Sequence, residues 1–457
     1  MAERAFDVVV VGAGPAGEVA AGRLADGGLS VVLVEPHLIG GECSFYACMP
    51  SKALLRPGEL LAEVRRVPGA AEAVGGELDA RVVLARRDEV IHDLDDEVQL
   101  PWLAAKGIEL VRGEGRLDGA RRVRVGDDVL VAERAVVVAT GSAPAIPPID
   151  GLREAEPWTN REATTAKEVP ARLAVLGGGV AGVELAQAWR TLGSQVSILE
   201  RGDRLLAREE PFASEQVADS LRTHGVDVRV GAAVTAVRAD GGEVVVEVGG
   251  GPELSADELL VSIGRRPRTA GVGVDSVGLE PGEPIEVDDR MRATGVGGGW
   301  LYAVGDVNGR VQLTHMGKYQ ARAAADNILG KDARVTADGA VSPRVIFTEP
   351  QVAAVGHTLA SAQDAGLTVR AVDVGTEDNA GGSFVGKGAA GTCRIVVDED
   401  RRTIVGATFT GVEVAEALHA ATIAVVGEIP LDRLWHAIPS FPTRSELWLN
   451  LLEEYGL

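Results

Sequence analysis

Two cysteines five residues apart, Cys43 and Cys48, stand in the run Gly40-Gly41-Glu42-Cys43-Ser44-Phe45-Tyr46-Ala47-Cys48-Met49-Pro50-Ser51-Lys52. Positions five apart lie about 140° round a regular helix, so a bridge between these sulfurs requires an irregular first turn that brings the Cα atoms to roughly 4.4–6.8 Å. Pro50 suits an early helical position, and sulfurs near a helix N-terminus feel a field that stabilises thiolate. Redox use of the pair is the favoured reading. A pair of inert buried thiols and a metal site stay open, the latter short of donors because zinc wants about four and only Cys393 and scattered histidines remain. Cys393, alone, reads as a core residue.

A second kind of chemistry is signalled by glycine. The Val-rich run Phe6 to Val11 leads into Gly12-Ala13-Gly14-Pro15-Ala16-Gly17, then helix formers through Ala25, then the apolar run Ser30 to Val34 closing with Glu35. In such a βαβ unit Gly12 allows the tight turn, Gly14 lets a pyrophosphate approach the backbone and Gly17 lets helix and strand pack. The acidic residue accepts hydrogen bonds from ribose hydroxyls. The arrangement returns at Leu173 to Leu176, Gly177-Gly178-Gly179-Val180-Ala181-Gly182 and a strand ending in Glu200, so Gly177, Gly179 and Gly182 repeat the three roles. Each copy is followed by a strand that runs into a glycine with proline three places on, Val136 to Gly141 with Pro144 and Leu259 to Gly264 with Pro267. The repeat predicts two related nucleotide-binding domains.

The elements that must position these groups belong to a chain of 457 residues, a prior of about three domains. Val234 to Val248 alternates around Asp240-Gly241 and reads as a hairpin, with a looser counterpart in Arg122 to Val131; a strand is predicted at Trp300 to Val304 and a helix at Gly317 to Leu329. Pro144, Pro147 and Pro148 mark a hinge, placing boundaries at 1–150, 151–267, 268–338 and 339–457, the last an α+β domain without a nucleotide motif. The fold class is therefore α/β with two Rossmann-like domains plus that C-terminal domain. Forty-five basic against 67 acidic residues give a net charge of −22, which argues against nucleic acid and anionic membrane as partners. Three cysteines, no apolar leader after Met1 and no apolar run of membrane-spanning length predict a soluble protein of the reducing cytoplasm.

The chain resembles the FAD-dependent pyridine nucleotide-disulfide oxidoreductases of the dihydrolipoamide dehydrogenase, glutathione reductase and mercuric reductase type over essentially its whole length. The glycine motifs and Cys43 to Lys52 carry the resemblance, together with Ala139-Thr140-Gly141-Ser142, Ile263-Gly264-Arg265-Arg266-Pro267, Tyr302-Ala303-Val304-Gly305-Asp306, Phe347-Thr348-Glu349-Pro350 and Phe441-Pro442-Thr443-Arg444-Ser445-Glu446. The resemblance implies FAD on the first βαβ unit, with Gly115 and Thr140-Gly141 near its adenine side and Asp306 reaching its ribityl or phosphate region. It implies NADH or NADPH on the second. Glu200 repels a 2′-phosphate while Arg201 and Arg204 attract one, and NADH is favoured. By the same resemblance Lys52 pairs with Glu184 beside the flavin N5, Cys48 lies against the flavin and Cys43 exchanges with substrate. Val180 replaces a bulky aromatic gate of several relatives.

One departure bears on function. Phe441 stands where disulfide reductases of this type carry a histidine that acts across a homodimer interface as acid and base, oriented by the residue matching Glu446. A phenyl ring carries no proton, and general acid-base help is worth about 10²–10⁴-fold. Candidates to substitute are His436 and Tyr46, each with a packing alternative, whereas His315 reads as structural. Mercuric reductases and soluble transhydrogenases have tyrosine at that place. The former end in a vicinal cysteine pair, absent from Glu453-Glu454-Tyr455-Gly456-Leu457, and the latter lack the complete cysteine pair. The resulting expectation is a homodimeric NAD(P)H oxidoreductase that uses the dithiol on a small disulfide or thiol-reactive acceptor. A flavin-level reductase of quinones and a FAD-bound redox sensor are the alternatives.

Overall fold

The computed structural model describes residues 3–457, which divide into two compact units. The first comprises the chain up to Pro50, Asp88–Ala145 and Arg265–Gly339. Its βαβ start is β1 (Glu3–Val11), α1 (Pro15–Asp26) and β2 (Val31–Glu35), with β1 three residues longer than its apolar run because Glu3 to Ala5 pair with Val129 to Val131. Parallel strands put Val8 opposite Val31 and Val11 opposite Val34. The sheet runs Glu109–Arg112, β2, β1, Asp128–Val138, Arg122–Val125, Gly115–Leu117, with Leu301–Ala303 also paired to Asp128–Val138. Side chains of a strand alternate between faces, and here both faces are covered: Val8 and Val10 join one apolar core while Val9 and Val11 join another.

After β2 the chain forms α2 (Gly41–Phe45) and α3 (Cys48–Arg66). The helix expected at Gly317 starts earlier and spans Thr314–Ile328. It runs alongside α1 in matched register. A Cβ on Gly317 would stand 3.4 Å from that of Ala16, Arg23 donates two hydrogen bonds to Asp326, and a Cβ on Gly27 would meet Leu329. Small residues at the crossing let the two backbones approach closely.

The second unit comprises Ser51–Arg87, Ile146–Gly264 and Ala340–Leu457. Its parallel sheet runs Asp227–Arg229, Gln195–Leu199, Arg172–Leu176, Glu258–Val261, and the expected hairpin forms as Val234–Asp240 against Glu243–Val248. Residues 51–87, which the sequence reading takes with the first domain, pack in this unit instead: Leu54, Leu55, Val83 and Leu84 share a core with Leu173, Val175 and the fully buried Trp189. The change of side lies within α3, where helical periodicity continues unbroken and offers no boundary signal. The unit break also falls between residues 145 and 146, before Pro147, rather than at 150. The C-terminal part is a five-stranded antiparallel sheet of order Arg344–Ile346, Gln351–Gly356, Thr403–Gly411, Thr392–Asp398, Val369–Gly375, whose core includes Cys393 and residues of Val414–Val426 and Leu447–Tyr455. Among the described residues no helix is long and apolar enough to cross a membrane.

The glycines of the first turn answer to different constraints. A Cβ on Gly17 would lie 1.9 Å from the Gly12 carbonyl oxygen, whereas one on Gly14 meets nothing within 4 Å. Gly17→Ala is therefore expected to lose about 1–3 kcal/mol by overpacking, and Gly14→Ala to change the stability of the flavin-free protein by no more than about 0.5 kcal/mol, both read by urea denaturation.

Candidate active site

The cysteine segment is seated on the first glycine turn. Gly40, with φ of 108°, donates from its N–H to the Ala13 carbonyl at 2.7 Å, and a Cβ on Gly41 would stand 2.9 Å from the Gly14 Cα. At Tyr46 the backbone leaves helical geometry, with φ of −134° and ψ of 0°, and α3 restarts at Cys48. This is the irregular turn that a spacing of five requires. Cys43 and Cys48 stand as thiols joined by a hydrogen bond. That bond, followed by burial and by the charge of Cys48, holds the Cys43 thiol far above the ordinary thiol range, while Thr314 and Lys318 pull it down. The Cys48 Sγ lies 3.3 Å from the Thr314 hydroxyl.

Around this turn the first unit has the features a dinucleotide needs. Gly12 adopts φ of 103°, which only glycine takes up readily, and its Cβ would strike the Ala139 carbonyl. The space before α1 at Gly14 is open, Pro15 occupies the first helical position, and the buried Glu35 accepts from Ala13 N–H at 2.8 Å and His37 N–H at 2.9 Å. An open, positively polarised helix start beside a buried carboxylate fits the pyrophosphate and ribose of FAD. Thr140 donates through Oγ1 to the Arg268 carbonyl at 2.7 Å, and the Gly141 carbonyl accepts from Arg268 N–H. Gly115 stands where a Cβ would press on Val11 and Val34 at 2.9–3.0 Å. Asp306 accepts from the Ser142 hydroxyl at 2.5 Å; burial pushes its carboxyl up, against that hydrogen bond and the charge of Arg265. Glu42 lies between Arg265 and Arg268, at 3.6 and 3.2 Å.

The second unit repeats the turn. Gly177 has φ of 107°, a Cβ on Gly182 would lie 2.1 Å from the Gly177 carbonyl oxygen, and Gly179 leaves its approach open but for Ser262 O at 4.0 Å. Glu200 accepts from Gly178 N–H at 2.7 Å and Gly202 N–H at 2.6 Å. Gly264 has φ of 127° with open space around it. Arg204 spends its guanidinium on the carbonyls of Glu209 and Ala207, at 2.9 and 2.7 Å. The same unit brings Lys52 and Glu184 together: the ammonium lies 2.6 Å from Oε2, Oε1 accepts from Phe347 N–H at 2.8 Å, and Lys52 stacks 4.8 Å from the Phe347 ring centre. Val180 is exposed, as are His436 and Phe441, the last at 76%. Glu446 has Oε2 buried without a hydrogen-bond partner among the described residues.

Two residues that the sequence reading left out of the site act on the sulfurs in the first unit, Thr314 and Lys318, and the charge of Lys318 acts on Glu18 as well. Thr314 and Lys318 share one face of their helix, four residues apart. Glu18, in the first turn of α1, is pushed up to about 7 by burial, with Lys318 opposing. An acidic residue in a first turn reads as an ordinary complement to the helix dipole, which is why nothing in the sequence set Glu18 apart. His315 beside them is exposed. Among the described residues no group of three or more His, Cys, Asp and Glu could hold a metal ion.

Residues 6–321 match the family model described as pyridine nucleotide-disulphide oxidoreductase, and residues 342–451 match that family's dimerisation domain. The dihydrolipoyl dehydrogenase of Chlamydia muridarum is 33% identical over 452 residues, covering 97% of this chain and 95% of that one. The mercuric reductase of Staphylococcus aureus is 29% identical, covering 96% of this chain and 81% of that one. Among solved structures, the Cu(II) complex of the HOCl-induced flavoprotein disulfide reductase RclA from Escherichia coli superposes with a TM-score of 0.87 at 26% identity, over 98% of this chain and 99% of that one.

Removing the cation from the Lys52–Glu184 pair leaves a carboxylate that is 3% exposed with one backbone donor. Lys52→Met is expected to cost about 1–3 kcal/mol, with Glu184→Gln in the same background recovering part of the loss, as measured by denaturant unfolding.

Proposed function

The chain belongs to the FAD-dependent pyridine nucleotide-disulphide oxidoreductases, and we propose that it passes electrons from NADH, or less readily NADPH, to the Cys43–Cys48 pair and on to a small disulfide or thiol-reactive acceptor. The observation that carries this reading is the cysteine pair itself. Two sulfurs on either side of a helix break, in mutual hydrogen bond and with the proton assigned to Cys43, have the arrangement of a dithiol that opens and closes a disulfide. Bound FAD supplies the two-electron link between nicotinamide and sulfur. The chain's own residues do the rest. Gly12, Gly14, Gly17 and Glu35 seat one dinucleotide, with Gly115, Thr140, Gly141 and Asp306 beside it, and Gly177, Gly179, Gly182, Glu200 and Gly264 seat the other. Cys48, held by Thr314, is assigned the electron-receiving sulfur and Cys43 the exchanging one. Lys52, fixed by Glu184, is assigned the cation at the redox end of the flavin.

A homodimer is part of this proposal. Residues 342–451 match a dimerisation domain, and Ile438 and Phe441 expose 73% and 76% of their surface in the single chain, apolar area that a partner would cover. Glu446 is assigned the orienting carboxylate there, although Phe441 offers it nothing to orient. Phe441 and the exposed Val180 favour the second reading, direct reduction of quinones without the cysteines. Cys43→Ser separates the two: turnover with a disulfide acceptor is expected to fall by at least about 10²-fold while NADH still reduces the flavin. Undiminished turnover with every accepted oxidant would reject the dithiol reading.

Cofactor choice follows from Glu200 and from the engagement of Arg204 with backbone carbonyls. NADH is expected to exceed NADPH by at least about tenfold in kcat/KM, roughly 1.4 kcal/mol, and Glu200→Gln to narrow that ratio in stopped-flow measurements of flavin reduction.

A further inference from the structure

In the second unit, loop 201–210 follows Glu200 and is fastened at both ends. Its near side lies on the glycine turn. Leu206 donates from its N–H to the Gly178 carbonyl at 2.9 Å, and Leu205 and Leu206 are buried. A Cβ on Gly202 would stand 3.1 Å from Glu200 Oε1 and 3.8 Å from the Arg204 carbonyl oxygen, so Arg204 leaves the backbone close to the Glu200 carboxylate. Its guanidinium nevertheless turns back along the loop to the carbonyls of Ala207 and Glu209, whereas Arg201 is exposed. At the far end the C-terminal sheet holds two consecutive buried carboxylates, Glu209 and Glu210. Arg344, on the strand Arg344–Ile346, forks onto Glu209 with hydrogen bonds of 2.7 and 2.9 Å. Glu210 accepts from Arg394 at 3.0 Å and from Leu359 N–H at 2.7 Å, and Arg394 is itself bonded to Asp373 and stacked on Phe212.

We propose that Arg344, from the C-terminal sheet, sets nucleotide choice at the second glycine turn by latching loop 201–210 through Glu209, which withholds Arg204 from a 2′-phosphate. The proposal rests on the reading of that turn as the nicotinamide dinucleotide site. The Arg344 fork fixes the Glu209 side chain and, with it, the Glu209 carbonyl that keeps Arg204 turned back. With the latch shut, the 2′-phosphate of NADPH meets the Glu200 carboxylate without Arg204 to offset it, while a free ribose hydroxyl donates to Glu200. A buried carboxylate stripped of its cation has to be rehydrated, and a loop yields to that demand more readily than a sheet does. Once the loop lifts, Arg204 is released and its planar fork suits a phosphate. Arg344 acts through Glu209 and Arg204 and is a positioning residue. Its effect falls on the nucleotide concentration that half-saturates flavin reduction and not on the limiting rate.

The test is stopped-flow reduction of the flavin in the holoenzyme over a range of NADH and NADPH concentrations, compared as the NADPH-to-NADH ratio of second-order rate constants. Arg344→Gln is expected to raise that ratio by about tenfold, a coupling typical of residues in one network, at an unchanged limiting rate. A merely structural loss would weaken both nucleotides alike and leave the ratio where it was. Arg204→Ala is expected to cancel the gain in the Arg344→Gln background, yet to keep the ratio within about twofold of native when Arg344 is present, because the guanidinium is then already spent. Arg344→Lys keeps a cation at Glu209 and is expected to keep the native ratio. Hydrogen exchange read by mass spectrometry follows the latch itself: peptides covering 201–210 exchange faster in Arg344→Gln than in the native protein. If Arg344→Gln fails to retain flavin, Glu209→Gln breaks the same ion pair from the loop side and carries the same expectation. An unchanged ratio in the folded variant, or a raised ratio that Arg204→Ala does not remove, overturns the latch. Failure of the parent reading looks different: Glu200→Gln would then leave flavin reduction by both nucleotides unaltered, and the latch would fall with it.

Discussion

The grip of the first glycine turn on the cysteine segment is the constraint on which the remaining chemistry depends. Gly40 bonds to Ala13, and a Cβ on Gly41 would stand 2.9 Å from the Gly14 Cα, so position 41 admits no side chain without a shift. The contact that would place a pyrophosphate therefore also fixes where the polypeptide turns toward Cys43. From there the chain leaves helical geometry at Tyr46 and restarts at Cys48, and the two sulfurs meet across the break. A regular helix through this segment would hold them apart, so the dithiol is a product of the discontinuity.

Electrostatics then gives two like groups unlike states. Both sulfurs belong to one short segment, yet the hydrogen bond assigns the proton to Cys43, while Thr314 supports Cys48. Desolvation of Cys43 disfavours its charge, and the neighbouring Lys318 partly offsets that cost. The carboxylates likewise have unlike surroundings. Glu35, Glu184 and Glu200 are surrounded by backbone N–H donors or a cation, whereas burial outweighs the one opposing charge at Glu18.

Features governed by short-range geometry were legible in the sequence. The two glycine turns, the acidic residues after them and the hairpin at 234–248 each depend on a local backbone requirement, and each appears with little change in bounds. The irregular turn between the cysteines was the condition that their spacing set for a bridge. What depends on distant partners was not legible. Residues 51–87 carry no mark of the core they join, because an amphipathic helix looks the same whichever neighbour covers it. The helix at 314 begins three residues earlier than its glycine suggests, and that extra turn brings Thr314 to Cys48. Glu18 was hidden for a related reason: its character comes from burial in the folded chain, and the charge that opposes it belongs to Lys318, 300 positions away.

The proton that Cys43 retains has a bearing on durability. Peroxide and hypochlorous acid oxidise thiolates far faster than thiols, and the sulfinic and sulfonic products cannot be reclaimed by simple exchange. A thiol held in its protonated form presents a poor target to such reagents. Hydrogen bonding to its neighbour therefore lowers the exposure of the Cys43 thiol to such oxidants.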